Sequence, residues 1–485
     1  MALPRLRRYS AAFPMVGWVR VLRFLTAALV GAAATLAHAQ PSAPPLPLAT
    51  ERPLDIDFSR DPILGLARIS ESEAMFRRLI GEAVQLHPAT GEAAAGEDEA
   101  IAELEQAEEQ RRPTVDIGLT SYRVLTREFS NDPFNIIERS RPLQRTDATV
   151  TVQQVLFDFG AGEARVRAAG SRLRAAGAQL ELDADRIALS AIAAWYDVFG
   201  YRALVQLTEA FVASQRELRA AVEERIRLGA SAEGDLAQVD SYIAQGEIRL
   251  AQFRRQLATA EARFAELTGS PAPPGLERAP VQNVRFASRD DAVLAAQDAP
   301  GVRTAEALAA GARHDADAAD AERYPQVTGG VDAGRYGVFE NDKDYDVRAR
   351  VGLRWRLFGG VDPRARQGAA RARGAEARAD RIRVESERDA AIAWADVQAL
   401  EQQLVALEAA YRASRQSRDV IVTRFRAARG TLFDVIAAED AYFAAATAYI
   451  QGLTELDAAR YILLSRTGLL LQRLGIDPDR LGRTG

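Results

Sequence analysis

The sequence predicts an α+β chain made of two copies of one unit: helix, strand, connection, strand and long helical hairpin. Three observations predict it. Landmark residues recur at a near-constant offset between the two halves. Ala161–Ser270 and Arg364–Asp477 contain no proline and are rich in Ala, Leu, Arg, Glu and Gln, the good helix formers. Short segments beside them alternate apolar and polar residues, the period of a strand with two unlike faces.

The N-terminus reads as an export address. Residues 1–39 carry Arg5, Arg7, Arg8, Arg20 and Arg23 and no acid, and Phe24 to Ala37 is an apolar run. It ends in Ala37-His38-Ala39, which places signal cleavage between Ala39 and Gln40. A single transmembrane anchor is the alternative, and the apolar run is short for one. Met15 is a second candidate start, and Arg7-Arg8 is a weak twin-arginine pair in an arginine-rich chain. Residues 40–61, with Pro41, Pro44, Pro45, Pro47 and Pro53, read as an extended lead-in.

The repeat is traced by matched residues. His87-Pro88 matches Ala299-Pro300, and Arg112-Pro113-Thr114-Val115 matches Tyr324-Pro325-Gln326-Val327, both at an offset of 212. Leu156-Phe157 matches Leu357-Phe358 at 201, and from there the offset settles at 199: Trp195 with Trp394, Arg225 with Arg424, Asp235 with Asp434, Thr268-Gly269 with Thr467-Gly468. The drop places a length difference, and so a surface loop, between residues 116 and 155. The chain then divides into a signal peptide (1–39), the lead-in (40–61), a first repeat (62–270), a linker (271–288), a second repeat (289–470) and a tail (471–485). The first repeat has strands near 113–124 and 147–158 and a helical hairpin over 161–269; the second has strands near 325–338 and 346–358 and a hairpin over 364–468.

Each hairpin has a break signal. Gly229 to Asp235 and Ala428 to Asp434 supply glycine to turn the chain and an Asp as the expected N-cap of the returning helix. The first outgoing arm would be about 98 Å long at 1.5 Å per residue. A coiled-coil scaffold is the plain alternative, but it leaves the strands unexplained. Val347 to Leu357 shows the alternation best, with Val, Ala, Val, Leu and Trp on one face and Arg348, Arg350, Arg354 and Arg356 on the other. Strands of about ten residues with one apolar face suit a membrane barrel. Hydrocarbon satisfies no backbone group, so the sheet must close. Four strands are too few, so several chains must contribute. A soluble sandwich with one wet face is the alternative.

Composition excludes other classes. There are 62 basic residues against 67 acids, a formal charge of −5, and the chain without residues 1–39 is more acidic still, so a basic nucleic-acid binder is excluded. No cysteine is present, which removes disulfides, thiolate metal sites and a lipid-bearing N-terminal cysteine. Three scattered histidines make no zinc site. No phosphate loop or nucleophile elbow occurs, so no enzyme, cofactor or metal is expected.

The duplicated order resembles the TolC family of outer-membrane efflux and secretion ducts over roughly residues 62–474. Glu82-Ala83-Val84 before His87-Pro88 resembles the leading helix of that family. Val155 to Gly160 and Arg356 to Gly360 resemble its strand-to-helix exits, and Arg225 to Gly229 its helix tips. The resemblance implies a homotrimer, with a twelve-stranded barrel in outer-membrane lipid continuous with a periplasmic α-helical barrel. Its implied partners are a periplasmic adaptor (membrane fusion) protein and an inner-membrane ABC or RND transporter that supplies the energy. The tips, with Gly229, Asp235, Arg429, Gly430 and Asp434, would form the adaptor-facing entrance. Asp434 could line that entrance or merely cap its helix. Ala437 stands where a second acid would be expected, with Glu439 and Asp440 nearby. Arg348, Arg350, Arg354 and Arg356 would face the lumen, to attract anions or, preferably, to pair with Asp116 and Asp332. Trp355 would be an interfacial aromatic. Arg112, Pro113, Tyr324 and Pro325 would mark helix-to-strand junctions, and Trp195 and Trp394 core packing. The lack of a lipid-bearing cysteine favours type I protein secretion. Small-molecule or metal efflux is the alternative within the class, and a periplasmic adaptor or scaffold the alternative outside it.

Overall fold

A computed structural model describes residues 47–481, apart from 48, 51, 128–133, 135, 137–139, 141, 230, 283–285, 341–343 and 428, and the side chain at 479. The expected signal peptide and its cleavage point, Ala39 and Gln40, lie outside the described residues.

The chain begins with a short α1 (Pro62–Gly65), α2 (Glu73–Leu86) and α3 (Pro88–Glu109), which lead into β1 (Thr114–Arg123) and β2 (Gln144–Phe157). The first long hairpin is α4 (Ala161–Arg227) and α5 (Glu233–Thr268). The second half repeats the order with α6 (Arg289–Ala296), α7 (Pro300–Ala321), β3 (Gln326–Tyr336), β4 (Asp344–Arg354), α8 (Val361–Arg426) and α9 (Leu432–Arg466), closed by α10 (Leu470–Leu474).

Local chemistry explains the boundaries. His87 Nδ1 accepts the Ala89 N–H at 3.2 Å, and Pro88, which lacks a donor, occupies the first position of α3. Ser288 and Asp291 form a reciprocal capping box on α6. Gly160 and Gly360, at φ +88° and +89°, turn the chain from strand into α4 and α8. Those helices run 67 and 66 residues, about 100 Å each.

The strands form one antiparallel sheet in the order β1-β2-β3-β4, leaving β1 and β4 as open edges. Register carries Ile117 beside Val150, Val150 beside Ala333 and Ala333 beside Val347, so one face is apolar across all four strands. A bulge falls between Val155 and Phe157. The β1–β2 connection, 124–143, is longer than the β3–β4 connection, 337–343, which is where the repeat offset changes. β4 stops at Arg354, short of the expected 358, so Trp355 and Arg356 lie beyond the sheet. The chain turns away there because Gly359 and Gly360 take left-handed conformations to start α8.

Beside the sheet, α3, α4, α7 and α8 lie in that order, each touching the next. Farther from it, α5 packs on α4 and α9 on α8. The main core sits where α2 crosses α4 and α5: Trp195 is fully buried, its ring edge-on to Phe76 at 5.2 Å, and its Nε1 donates to Glu277 O at 2.9 Å. Trp394 is half-buried against Phe286 and Val397, so both repeat-related tryptophans pack rather than open into a site. The linker is tied down by Arg278, which donates through two nitrogens to Asp457 on α9, at 2.5 and 2.7 Å, both side chains buried.

Candidate functional site

Two regions carry the features that sequence reading singled out: the sheet and the hairpin tips. On the sheet, the apolar face is bare. Val115, Ile117, Leu119, Val347, Val351 and Leu353 are 60–81 % exposed in the protomer, although a strand face in water would not carry such residues in rows. At the helix end of the sheet an exposed aromatic group gathers. Phe159 lies 4.7 Å from Phe157 and stacks on Tyr324 at 5.0 Å, and Trp355 donates to Arg323 O at 3.0 Å. An apolar band of strands 10–14 residues long, with aromatics at its rim, matches the thickness and border chemistry of a bilayer.

The opposite face is polar, and Arg348 and Arg350 stand on it. Arg350 Nε lies 3.3 Å from Asp332, which also accepts from Thr151 Oγ1 at 3.0 Å. Arg348 pairs with Asp346, two residues earlier on the same strand face. The expected partner Asp116 is not used: two strands separate β1 from β4, putting it about 14 Å away at 4.8 Å per strand. Arg354 ends β4 and Arg356 follows it; among the described residues neither is in an ion pair.

At the tips, α4 ends at Arg227 and Gly229 takes φ +73°, its N–H bonded to Ile226 O. Asp235 is not the N-cap of α5. Ala232 holds that position, and Asp235, three residues in, accepts the Ala232 N–H at 3.2 Å. The second tip repeats this with better chemistry. Thr431 is the N-cap of α9, accepting from Asp434 N at 3.2 Å, while Asp434 accepts from Thr431 N and Oγ1 at 3.2 and 2.7 Å. The expectation placed each Asp three residues early, because the reciprocal half of a capping box is an acid at the third helical position. Those Thr431 hydrogen bonds hold the exposed Asp434 carboxyl below the usual range, so it stays charged. Arg429 N bonds Arg424 O at 2.9 Å, which closes α8 and leaves Gly430 to link the two helices. The tips are joined by Arg225, which lies over the Phe425 ring at 4.4 Å and donates to Phe425 O at 3.3 Å.

Glu439 and Asp440 do not extend a charged ring. Glu439 is buried against Arg418, and burial pushes its carboxyl pKa up; Asp440 pairs with Arg249 at 2.8 Å. Glu439 belongs to a buried polar network that sequence reading missed. Arg418 lies 2.7 Å from Asp419 and 3.4 Å from Glu439, donates to Pro47 O at 2.8 Å, and sits 4.4 Å over the Tyr442 ring. Asp419 accepts from Thr50 N at 3.3 Å. Farther along α8, Arg415 donates to Asp61, and Tyr411 OH donates to the same carboxylate at 2.9 Å. Asp61 also caps α1 through Ile63 N and Leu64 N. The described residues of the lead-in, held at Pro47, Thr50 and Asp61, are therefore a strap laid along the second hairpin, and Ala49 joins the tip core formed by Val222, Val239, Val422 and Val435. Beside it, a cavity of about 600 Å³ lies between α4 and the α8–α9 hairpin, with Gln215, Arg418, Phe425 and Glu439 on its walls. Among the described residues no cluster of His, Asp and Glu could hold a metal ion.

This geometry has relatives. The family model of the outer membrane efflux proteins matches residues 79–270. The outer membrane efflux protein BepC of Brucella suis is 24% identical over 341 residues, spanning 68% of this chain and 75% of BepC. Among solved structures, the outer membrane protein VceC of Vibrio cholerae superposes with a TM-score of 0.72 at 20% identity, over 81% of this chain and 96% of VceC. A membrane protein from Pseudomonas aeruginosa gives 0.72 at 19% identity, over 82% and 91%. The structures establish the fold, and the duplicated hairpins, the bare apolar sheet face and the family match agree with it. The family model covers most of the first repeat, and four-fifths of the chain takes the fold of these solved outer-membrane proteins, so the chain is similar to the TolC family of outer-membrane efflux channels.

Proposed function

We propose that three copies close a twelve-stranded barrel around the polar sheet face, and that the resulting duct exports small molecules. The bare apolar face carries this reading. One protomer offers four strands with two open edges, and only closure with other copies satisfies those edges in lipid. The helices would continue the pore into the periplasm. Arg348, Arg350, Arg354 and Arg356 would then border the lumen, Arg348 and Arg350 held by Asp346 and Asp332. Gly229, Asp235, Arg429, Gly430 and Asp434 would surround the entrance, facing a periplasmic adaptor and an inner-membrane ABC or RND transporter.

For the cargo, small-molecule efflux replaces type I secretion as the main reading. The curated relative is named an efflux protein, and the missing lipid-bearing cysteine, which had favoured secretion, does not distinguish the two. The test is deletion of the gene with plasmid complementation. Efflux predicts greater sensitivity to amphipathic toxic compounds and an unchanged set of secreted proteins. Loss of a secreted protein with unchanged sensitivity would favour secretion.

A further inference from the structure

The cavity between the two hairpins has the make-up of a ligand site. Its volume of about 600 Å³ falls in the range of about 300–1,000 Å³ that small-molecule sites occupy. α4 forms one wall, α8 and α9 the other, and Pro47 and Ala49 of the strap border it. Phe211 and Leu218 stand on the α4 wall, and Val422 and Phe425 on the α8 wall. Protein interiors are close-packed, so a gap of this size forfeits contacts on every side.

Three buried polar side chains line the same space: Gln215, Arg418 and Glu439. Arg418 and Glu439 answer each other at 3.4 Å, and Asp419 lies 2.7 Å from the same guanidinium. Gln215 is 1 % exposed, and among the described residues its Oε1 accepts no hydrogen bond. A buried amide oxygen left unanswered costs free energy, so such atoms are rare in folded chains. The partner it lacks is an O–H or N–H donor. Charge narrows the choice further. The walls carry three acids and three arginines and so no net charge. An ion entering would lose its hydration and meet no unmatched counter-charge.

Position gives the occupant a mechanical role. Arg225 and Phe425 both lie on the walls, and their contact at 4.4 Å joins the two tips. A molecule seated beside them touches both hairpins at once.

We propose that this cavity binds an uncharged amphipathic small molecule, its apolar body between Phe211 and Phe425 and its donor on Gln215 Oε1, and that the occupant clasps the first hairpin to the second behind the tips. The site needs neither the ring nor the cargo assigned above, because every wall belongs to one chain.

The test uses 4-(hydroxymethyl)benzophenone, an uncharged two-ring compound with one hydroxyl. On irradiation its ketone oxygen takes a hydrogen from a nearby C–H and the two carbons join, so the adduct carries the mass of protein plus compound. The full-length protein in detergent is irradiated over a range of concentrations and the labelled peptides are mapped by mass spectrometry. Saturable labelling is expected within residues 210–226 and 418–439. In Gln215→Leu, which keeps the volume and removes the acceptor, or with 4-methylbenzophenone, which lacks the hydroxyl, half-saturation should rise about tenfold, and combining the two should add nothing. Gln215→Leu should melt no lower than the native protein, since it removes an unanswered polar atom. Ser214→Phe, which fills the cavity from α4, should abolish the labelling. No saturable labelling there would mean that the cavity holds only water, and equal half-saturation with and without Gln215 would mean that the amide reads no donor; either overturns the site. At saturation, hydrogen exchange in peptides spanning 222–228 and 422–427 should slow. Unchanged exchange with the site labelled would overturn the clasp.

Discussion

Replacing Asp61 with alanine should release the N-terminal strap. Its carboxylate is fully buried, caps α1, accepts from Tyr411 and pairs with Arg415, whose side chain is only 9 % exposed. Removing one partner of a buried pair leaves the other charge uncompensated, at a cost of about 3–5 kcal/mol. At 1.4 kcal/mol per decade, the lower figure raises the population of the detached strap roughly a hundredfold. Hydrogen exchange by mass spectrometry, on the detergent-solubilised protein, reads this in peptides covering residues 52–66. Exchange there should accelerate about a hundredfold, while peptides around Trp195 stay unchanged. Adding Arg415→Met should recover much of the protection, because the stranded charge is then gone and its volume is kept. An acceleration under about tenfold, or no recovery in the double variant, would refute the argument that this pair holds the strap.

Three further outcomes are expected. Burial raises the pKa of Glu439 and Asp419, so the native state binds protons more readily than the unfolded chain. Their contribution to stability therefore grows as pH falls from neutral through the native-state values and levels off near the ordinary carboxylate range. Glu439→Gln should flatten the gain in melting temperature between pH 7.5 and 5, and an unchanged slope would remove Glu439 from the titrating set. Asp434→Ala removes an exposed charge at the tip, and single-channel recordings in planar bilayers should show weaker cation preference; unchanged selectivity would leave Asp434 a helix-capping residue only. Trp195→Ala empties the centre of the main core and gives up its bond to Glu277, which should cost about 3–5 kcal/mol in denaturant unfolding, whereas Trp394→Ala, half-buried, should cost less.

What could be read from sequence, and what could not, follows from the range of the interactions. The long arms were legible because proline is absent and good helix formers run throughout, a local signal. The strands were legible from period-two alternation, which survives because one face meets an apolar surrounding and the other a polar one. β4 ended early because the pattern Trp355-Arg356-Leu357 continues the alternation past the point where Gly359 and Gly360 divert the backbone. The tip caps were misassigned by three residues because Asp at the third helical position looks like a cap until Thr431 is seen to occupy that place. The strap was illegible. Asp61 and Arg415 are 354 residues apart, and α8 is so rich in arginine that Arg415 and Arg418 do not stand out from their exposed neighbours. Asp116 was assigned a partner on chemistry alone, where strand order decided the matter.

The central claim is that the apolar sheet face meets lipid and the polar face meets water. Single cysteines placed in turn from Val347 to Arg354 test it most directly, since β4 exposes every one of these side chains in the isolated protomer. In intact outer membranes, a membrane-impermeant thiol reagent should label positions 348, 350, 352 and 354 and spare 347, 349, 351 and 353. Uniform labelling along the strand, or protection of the arginine positions, would contradict the account.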